Sequence, residues 1–375
     1  MKLQISPALS VCPLRKTSFV SDAPRVVRIR EAVRVVKAVV DEETDQVDPI
    51  TGITISKTSV IAAVAGSSVD VDGCKWAYRR TEPDEEQAKA VANMPILLLH
   101  GLGSSSYCYR NTLALLGGEG YDAVAPDWVG HGDSDKPAVE ASGSLFDCSE
   151  EAYKSALGRF IQTVGIKQPF ALVVHGFILG QYALLYALEH PDQIERLMVL
   201  NTPLSRKSKL RPELAAYKSP LPFLRPGNKP FNAINYNASG SPYAMAYSDA
   251  KVYNRPYEES PVASQIISKT MEKVDFPALL KRVDDGFMSW KKPTALCFGS
   301  SDTFLEVGSS FDFLENKRTN MKAMSIAAKV GHMPQEDYAE VLHEQLMLFL
   351  NGSPEDWTRA QSRSYKMTKK GLIEQ

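Results

Sequence analysis

Six short apolar runs, each the length of one buried strand, recur along this chain and are separated by stretches with helical periodicity. They occupy residues 96–99, 122–125, 170–174, 197–200, 294–298 and 324–327. Runs that are apolar throughout, rather than at every second position, suit strands covered on both faces, as in a parallel sheet. The intervening stretches supply the covers. Residues 151–164 and 181–188 are helix-patterned, the latter ended by Pro191. Residues 336–350 carry an apolar stripe of Tyr338, Val341, Leu342, Leu346, Leu348 and Phe349. The alternation predicts an α/β fold, a mostly parallel sheet flanked by helices. Ahead of it, residues 68–80 alternate around Asp72-Gly73, the signature of a β-hairpin.

One interval breaks the rhythm. Residues 203–290 contain no convincing buried strand, are rich in Pro, Asn, Ser and Tyr, and look helical at 264–274 and 277–283. An insertion of this size between sheet strands predicts a mainly helical cap or lid. The core is then 68–202 together with 291–351. Residues 352–375 form a basic tail (Arg359, Arg363, Lys366, Lys369, Lys370) without apolar period, read as solvated, with weak membrane-surface association as its remote alternative.

Residues 1–40 hold eight basic residues (Lys2, Arg15, Lys16, Arg25, Arg28, Arg30, Arg34, Lys37) against Asp22 and Glu31, with four interspersed serines. No apolar core of a secretory signal follows the start, and the composition is that of an organelle transit peptide; an unstructured basic tail is the plainer alternative. Residues 41–58 turn acidic and read as a linker, so 1–58 is expected to be a disordered transit peptide and linker. Forty-three Lys and Arg balance 44 Asp and Glu, and the formal charge of −1 gives no global attraction to nucleic acid. No apolar run approaches the ~20 residues of a membrane helix. Five cysteines without a CxxC argue against a disulfide framework and a zinc knuckle. No metal and no cofactor is expected, and the sequence assigns no oligomeric state.

Two motifs carry the chemistry. Leu97-Leu98-Leu99-His100-Gly101-Leu102-Gly103 ends a strand in a glycine turn, whose backbone N–H groups are placed to stabilise a developing oxyanion. Read alone, Gly101-x-Gly103 is also a truncated dinucleotide fingerprint lacking its third glycine, the basis of an oxidoreductase alternative. The second motif is Asp127-Trp128-Val129-Gly130-His131-Gly132-Asp133-Ser134-Asp135-Lys136-Pro137. With His100-Gly101 it resembles the α/β-hydrolase fold, especially the epoxide hydrolase and haloalkane dehalogenase branch, over about residues 68–351. Tyr107-Cys108-Tyr109-Arg110 and Asn201-Thr202-Pro203-Leu204 resemble a plastid-targeted subgroup of plants and algae, in agreement with the basic N-terminus. The resemblance implies a chloroplast location (stroma or envelope-associated) and a small apolar ester- or epoxide-type metabolite.

The resemblance also implies a catalytic acid at Asp302, after the 294–298 strand, and a base at His332, after the last strand. The nucleophile is expected in Val174-His175-Gly176-Phe177-Ile178-Leu179-Gly180, on a strained strand-to-helix turn. Counting back from Pro191 puts Phe177 in the nucleophile slot, and allowing one inserted residue puts Gly176 there. Neither side chain attacks a carbonyl, so the slot reads as vacant and the turn as reshaped. Gly101, Leu102 and Phe177 are then the candidate oxyanion donors, and His175 and Trp128 the pocket candidates. Ser104, Ser105, Ser106 and Cys108 are displaced-nucleophile candidates, with a helix-start role as the plainer reading. His131 and Asp133 read as structural. Tyr236, Tyr243, Tyr247, Tyr253 and Tyr257 would give the cap an aromatic inner face. Two functions remain open: a hydrolase-like protein with an Asp–His pair and no standard nucleophile, or a non-catalytic pseudoenzyme binding a ligand or protein partner in the old pocket.

Overall fold

The computed structural model describes residues 64–352 except 84–93, 139–145, 228, 242, 306–312, 314–322 and 328. It also describes two small antiparallel strand pairs, Gln46–Val47 with Thr54–Ile55 and Tyr365–Thr368 with Gly371–Glu374. The transit-peptide expectation at 1–40 lies outside the described residues, whereas the described residues of the linker and of the tail, both expected to lack structure, are paired strands.

Eight strands form one sheet: β1 (Gly66–Val71), β2 (Cys74–Arg80), β3 (Ile96–Leu99), β4 (Ala123–Pro126), β5 (Phe170–His175), β6 (Ile194–Leu200), β7 (Thr294–Gly299) and β8 (Ala323–Ala327), in the order β8-β7-β6-β5-β3-β4-β2-β1. Strands β3 to β8 are parallel, and the hairpin β1–β2 joins antiparallel through β2 and β4. The hairpin turns at Asp72 (φ 54°) and Gly73 (φ 80°), two left-handed residues that match the twist of the flanking strands. β3, β5 and β7 are buried along their whole length, as continuous apolarity requires.

The covering helices follow the sequence pattern closely. Helix α1 is Arg110–Gly118. Helix α2 (Glu150–Val164) starts where the Ser149 hydroxyl accepts the Ala152 N–H at 3.2 Å and stops at the left-handed Gly165. Helix α3 (Leu179–Glu189) is buried over most of its surface. Between β6 and β7 lie α4 (Pro212–Ala215), α5 (Ala233–Ala238), α6 (Tyr247–Glu259), α7 (Pro261–Lys273) and α8 (Phe276–Phe287). Helix α8 lies against α3, where Gly286 leaves room for Leu188. Helices α1, α4, α5 and α6 escaped the sequence reading: α4 and α5 are four and six residues long, and α6 contains Pro256 and has a polar composition.

The closing stretch is two helices, α9 (Pro334–Asp337) and α10 (Ala339–Asn351), where one was expected. At the break Tyr338 has φ −159° and ψ 77°, and the neighbouring Asp337 carboxylate turns back to accept the Gly331 N–H at 2.7 Å and a hydrogen bond from the Ser241 hydroxyl.

Register decides where chemistry collects. Leu99 pairs with Val174, His175 with Leu200, and Leu200 with Cys297. The segments leaving these strands, Gly101–Gly103, Gly176–Ile178, Asn201 and Gly299–Asp302, therefore emerge side by side at the carboxyl edge of the sheet, where α/β proteins place their sites. Among the described residues no helix is long and apolar enough to cross a membrane.

Candidate active site

Between β5 and α3 the chain reverses within three residues. Gly176 has φ 83°. Ile178, immediately before α3, has φ 62° and ψ −70°, a γ-turn geometry that costs a β-branched residue free energy. A Cβ on Gly176 would stand 3.1 Å from the Gly101 Cα, and one on Gly180 would stand 3.0 Å from the His175 carbonyl oxygen. Two small residues thus flank Ile178 at a spacing of two on either side. The head of the turn is Ile178, neither Gly176 nor Phe177 as expected, and the turn keeps both small neighbours instead of being reshaped. Counting from Pro191 failed because Pro191 opens a separate 3₁₀ turn (Pro191–Gln193) after α3 has ended at Glu189.

The strained turn is held by hydrogen bonds. The Gln181 side-chain oxygen accepts the Ile178 N–H, and its amide donates to the Pro203 carbonyl at 2.8 Å. The Phe177 carbonyl accepts twice, from the Leu179 N–H at 2.8 Å and from the Leu102 N–H at 3.0 Å. Leu102 was expected to offer a free donor; here that donor is spent on Phe177. Gly101 is glycine for a packing reason, since its Cβ would lie 3.0 Å from both Gly176 Cα and the Phe177 nitrogen. At Gly103 (φ 79°) a Cβ would meet the cap residue Phe231 at 2.7 Å, so the group approaching this turn is an aromatic ring, the opposite of a phosphate cradle.

Asp302 and His332 meet as expected. The His332 Nδ1 lies 2.8 Å from the Asp302 Oδ2, and both side chains are almost wholly buried. The same oxygen accepts from the Asn201 side-chain amide at 2.6 Å, and Oδ1 accepts the N–H groups of Phe304 (2.7 Å) and Leu305 (3.2 Å). Burial pushes the Asp302 carboxyl up, but the His332 imidazole, the Asn201 amide and the Phe304 N–H outweigh it and hold it below the usual carboxylate range. Asn201 is a site residue that sequence reasoning did not single out. Its φ of 38° aims its side chain back at Asp302 and, at 3.2 Å, at the Gly331 carbonyl.

Three rings surround the imidazole: His175 at 5.2 Å, Phe177 at 5.5 Å, and Phe304 edge-on at 5.5 Å between centroids. His175 is buried against the imidazole. Its Nε2 lies 2.8 Å from the His332 carbonyl oxygen, which only accepts, so Nε2 carries the proton. Burial, and then His332, lower its pKa to about 3 and keep it neutral. Trp128 is buried in a different cluster, with its indole N–H donating to the His100 carbonyl at 2.9 Å and its ring against Tyr153.

The cap is tied onto this edge. The His332 N–H donates to the Gly240 carbonyl at 2.8 Å, and the Asn237 amide to the Gly103 carbonyl at 3.0 Å. Arg110 joins Glu336 (2.5 Å) to Asp249 of α6 (2.9 Å), and Tyr253 donates to Glu336 as well. The Arg211 guanidinium is sandwiched between Tyr236 (3.7 Å) and Phe304 (4.1 Å). Of the five cap tyrosines, Tyr236, Tyr253 and Tyr257 are buried, whereas Tyr243 and Tyr247 face outward.

Most of the remaining candidates have structural surroundings, whereas the buried Ser104 hydroxyl has no hydrogen-bond partner among the described residues. Asp127 accepts the Ser106 N–H at 2.6 Å and the Asp133 N–H at 2.7 Å, which fixes its loop against the Ser106–Tyr109 turn. Ser105 precedes that turn without a side-chain cap. The Cys108 thiol is wholly buried and pushed well up by that burial, which disfavours the thiolate. His131 is buried and lowered to about 3. Among the described residues no three His, Cys, Asp or Glu side chains converge as metal ligands would.

Residues 96–345 match the family model described as the alpha/beta hydrolase family. A haloalkane dehalogenase from Psychrobacter cryohalolentis is 24% identical over 277 residues, covering 69% of this chain and 84% of that protein. A cis-3-alkyl-4-alkyloxetan-2-one decarboxylase from Shewanella oneidensis is 33% identical over 108 residues, a match that spans 29% of this chain and only 32% of the decarboxylase. The crystal structure of haloalkane dehalogenase DbeA from Bradyrhizobium elkani superposes with a TM-score of 0.64 at 18% identity, covering 80% of this chain and all of that one, a likeness of fold.

Proposed function

Because the chain belongs to the alpha/beta hydrolase family, whose reacting side chains sit on these strand-end turns, we propose that it acts by base chemistry alone. In this reading His332, held by Asp302, transfers protons to and from a small apolar ester- or epoxide-type metabolite without forming a covalent intermediate. The observation that carries it is a completed Asp302–His332 pair beside a turn headed by the hydrocarbon of Ile178. A carboxylate on Nδ1 fixes the tautomer and leaves Nε2 as the base. Ile178, in the position where the family carries its nucleophile, has no atom able to bond to substrate.

The turn also bears on the rate of reaction. An oxyanion donor is worth ~10²–10³ in rate, yet the Leu102 and Leu179 N–H groups both serve Phe177. Abstraction of a proton next to an ester carbonyl leaves its electron pair on an enolate oxygen that gains from the same donors, so the occupied turn slows that route and attack of water alike, and in either His332 is the group that takes the proton. A broad screen of apolar esters and epoxides tests the reading. Any turnover found should fall by about 10²–10⁴-fold in His332→Ala, with ligand affinity little changed and no labelling of the wild-type chain by a fluorophosphonate probe. Turnover that survives His332→Ala overturns it. The doubly occupied Phe177 carbonyl favours a second reading, non-catalytic ligand binding; tight binding of one metabolite without turnover across the screen would establish that instead.

The basic N-terminus further supports delivery to a plastid. A fluorescent protein carrying residues 1–58 should co-localise with chlorophyll, and diffuse cytosolic fluorescence would refute this location.

A further inference from the structure

The cap carries an apolar knob that the chemistry at His332 does not use. Residues Pro222–Leu224 form a 3₁₀ turn on which Leu221, Phe223 and Leu224 are 48%, 79% and 57% exposed. Large apolar side chains so close together in water call for a reason. The turn is preformed. Leu224 N–H donates to the Leu221 carbonyl at 3.0 Å and Arg225 N–H to the Pro222 carbonyl at 3.1 Å. The Arg225 guanidinium closes the base of the loop on the Ser219 carbonyl at 2.9 Å. Pro220, Pro222 and Pro226 fix three further backbone angles. The side chains are therefore held outward by a rigid loop rather than left there by its freedom.

The segment that carries the knob is itself basic, although Glu272 and Asp275 of the neighbouring helices lie near Lys218. Residues 205–229 contain seven Lys or Arg and a single acid, Glu213, which pairs with the buried Arg211. Arg206 pairs with Asp284 and Asp285. Lys207, Lys209, Lys218, Arg225 and Lys229 are all exposed, and the Lys218 ammonium donates to the Glu272 carbonyl, with the Asp275 and Glu272 carboxylates both felt nearby.

We infer that this face docks on an anionic lipid bilayer, with Leu221, Phe223 and Leu224 entering the interfacial layer and the surrounding lysines and Arg225 meeting the headgroups. A stable protein interface buries about 800 Å² on each partner, far more than three side chains on one turn supply. Shallow insertion beside a basic rim needs only such a cluster, because lysine stems lie along apolar surface while their charges reach the headgroups. The inference stands whether or not His332 is active.

Vesicle co-sedimentation of the full chain tests it. The wild-type protein should bind mixed phosphatidylcholine–phosphatidylglycerol vesicles, weakly bind phosphatidylcholine alone, and lose binding as salt is raised. Phe223→Asp with Leu224→Asp should weaken binding at least about tenfold, and Lys218→Gln with Lys229→Gln should flatten the salt dependence. The four positions are exposed, so an unchanged thermal transition verifies folding. A Phe223→Trp chain should show blue-shifted emission on the mixed vesicles, quenched by brominated lipid. Failure of the wild type to bind mixed vesicles, or equal binding by the double aspartate variant, overturns the inference. So does a wild-type dimer in gel filtration that the same variant makes monomeric, which would mark the knob as a contact between copies of the chain.

Discussion

Asp302→Ala should lower the unfolding free energy by several kcal/mol, about 1–3 kcal/mol for each buried donor left without an acceptor. That is a large share of the ~5–15 kcal/mol that holds a domain of ordinary stability. The carboxylate ties together four groups from three segments: the His332 Nδ1, the Asn201 amide, and the N–H groups of Phe304 and Leu305. Alanine leaves those donors buried and unpaired. Asp302→Asn should be milder, because an amide oxygen still serves Phe304 and Leu305 while its NH₂ faces donors on Asn201 and His332. Chemical denaturation of the three proteins checks the order, and equal stability of the alanine variant and the wild type would sink the account of this site.

The pH dependence has a definite sign. The Asp302 carboxyl is held below its ordinary value of 3.8 in the folded chain. Its contribution is therefore fully present above that unfolded value and is lost as pH falls through the folded one. Asp127, Glu336 and Asp337 run the other way, since burial, the largest influence on each, raises them. The Asp302 term is accordingly read as the stability difference between wild type and Asp302→Asn, which should shrink as pH drops below about 4. A difference that grows on acidification would contradict the pairing.

Ile178→Ser should turn a chain inert to fluorophosphonate probes into one labelled at position 178. The backbone there already has φ 62° and ψ −70°, flanked by Gly176 and Gly180, so a hydroxyl would sit at the head of an existing elbow. Labelling should disappear when His332→Ala is added, because the hydroxyl depends on the imidazole for its activation. It should also be slow, since Leu102 and Leu179 direct their N–H groups to Phe177. Replacing a buried isoleucine costs roughly 2–5 kcal/mol in packing, offset in part by removing a β-branched residue from left-handed backbone. Mass spectrometry locates the adduct. A folded Ile178→Ser chain that stays unlabelled would show that position 178 and His332 do not face one another.

Much of the architecture is legible in the sequence. Continuous apolar runs marked β3 to β7 within a few residues of their ends, because burial on both faces of a parallel sheet leaves no room for polar alternation. Asp72-Gly73 announced the hairpin through its two left-handed residues. Helix ends are less legible: Pro191 belongs to a separate turn, and Tyr338 splits a continuous apolar stripe next to the contacts made by Asp337.

What the chain settles locally is therefore its strand and helix alternation, its cap interval, and the placing of Asp302 and His332 just after strands, since each depends on neighbours in sequence. Ile178 at the head of the elbow was readable from the Gly176-x-Ile178-x-Gly180 spacing, whereas the tertiary structure alone decided that the Leu102 donor is spent on the Phe177 carbonyl and that Asn201 steadies the acid across 101 residues of chain. Those outcomes depend on which strand ends lie side by side and on distances of about 3 Å between remote segments, and register across the sheet sets both.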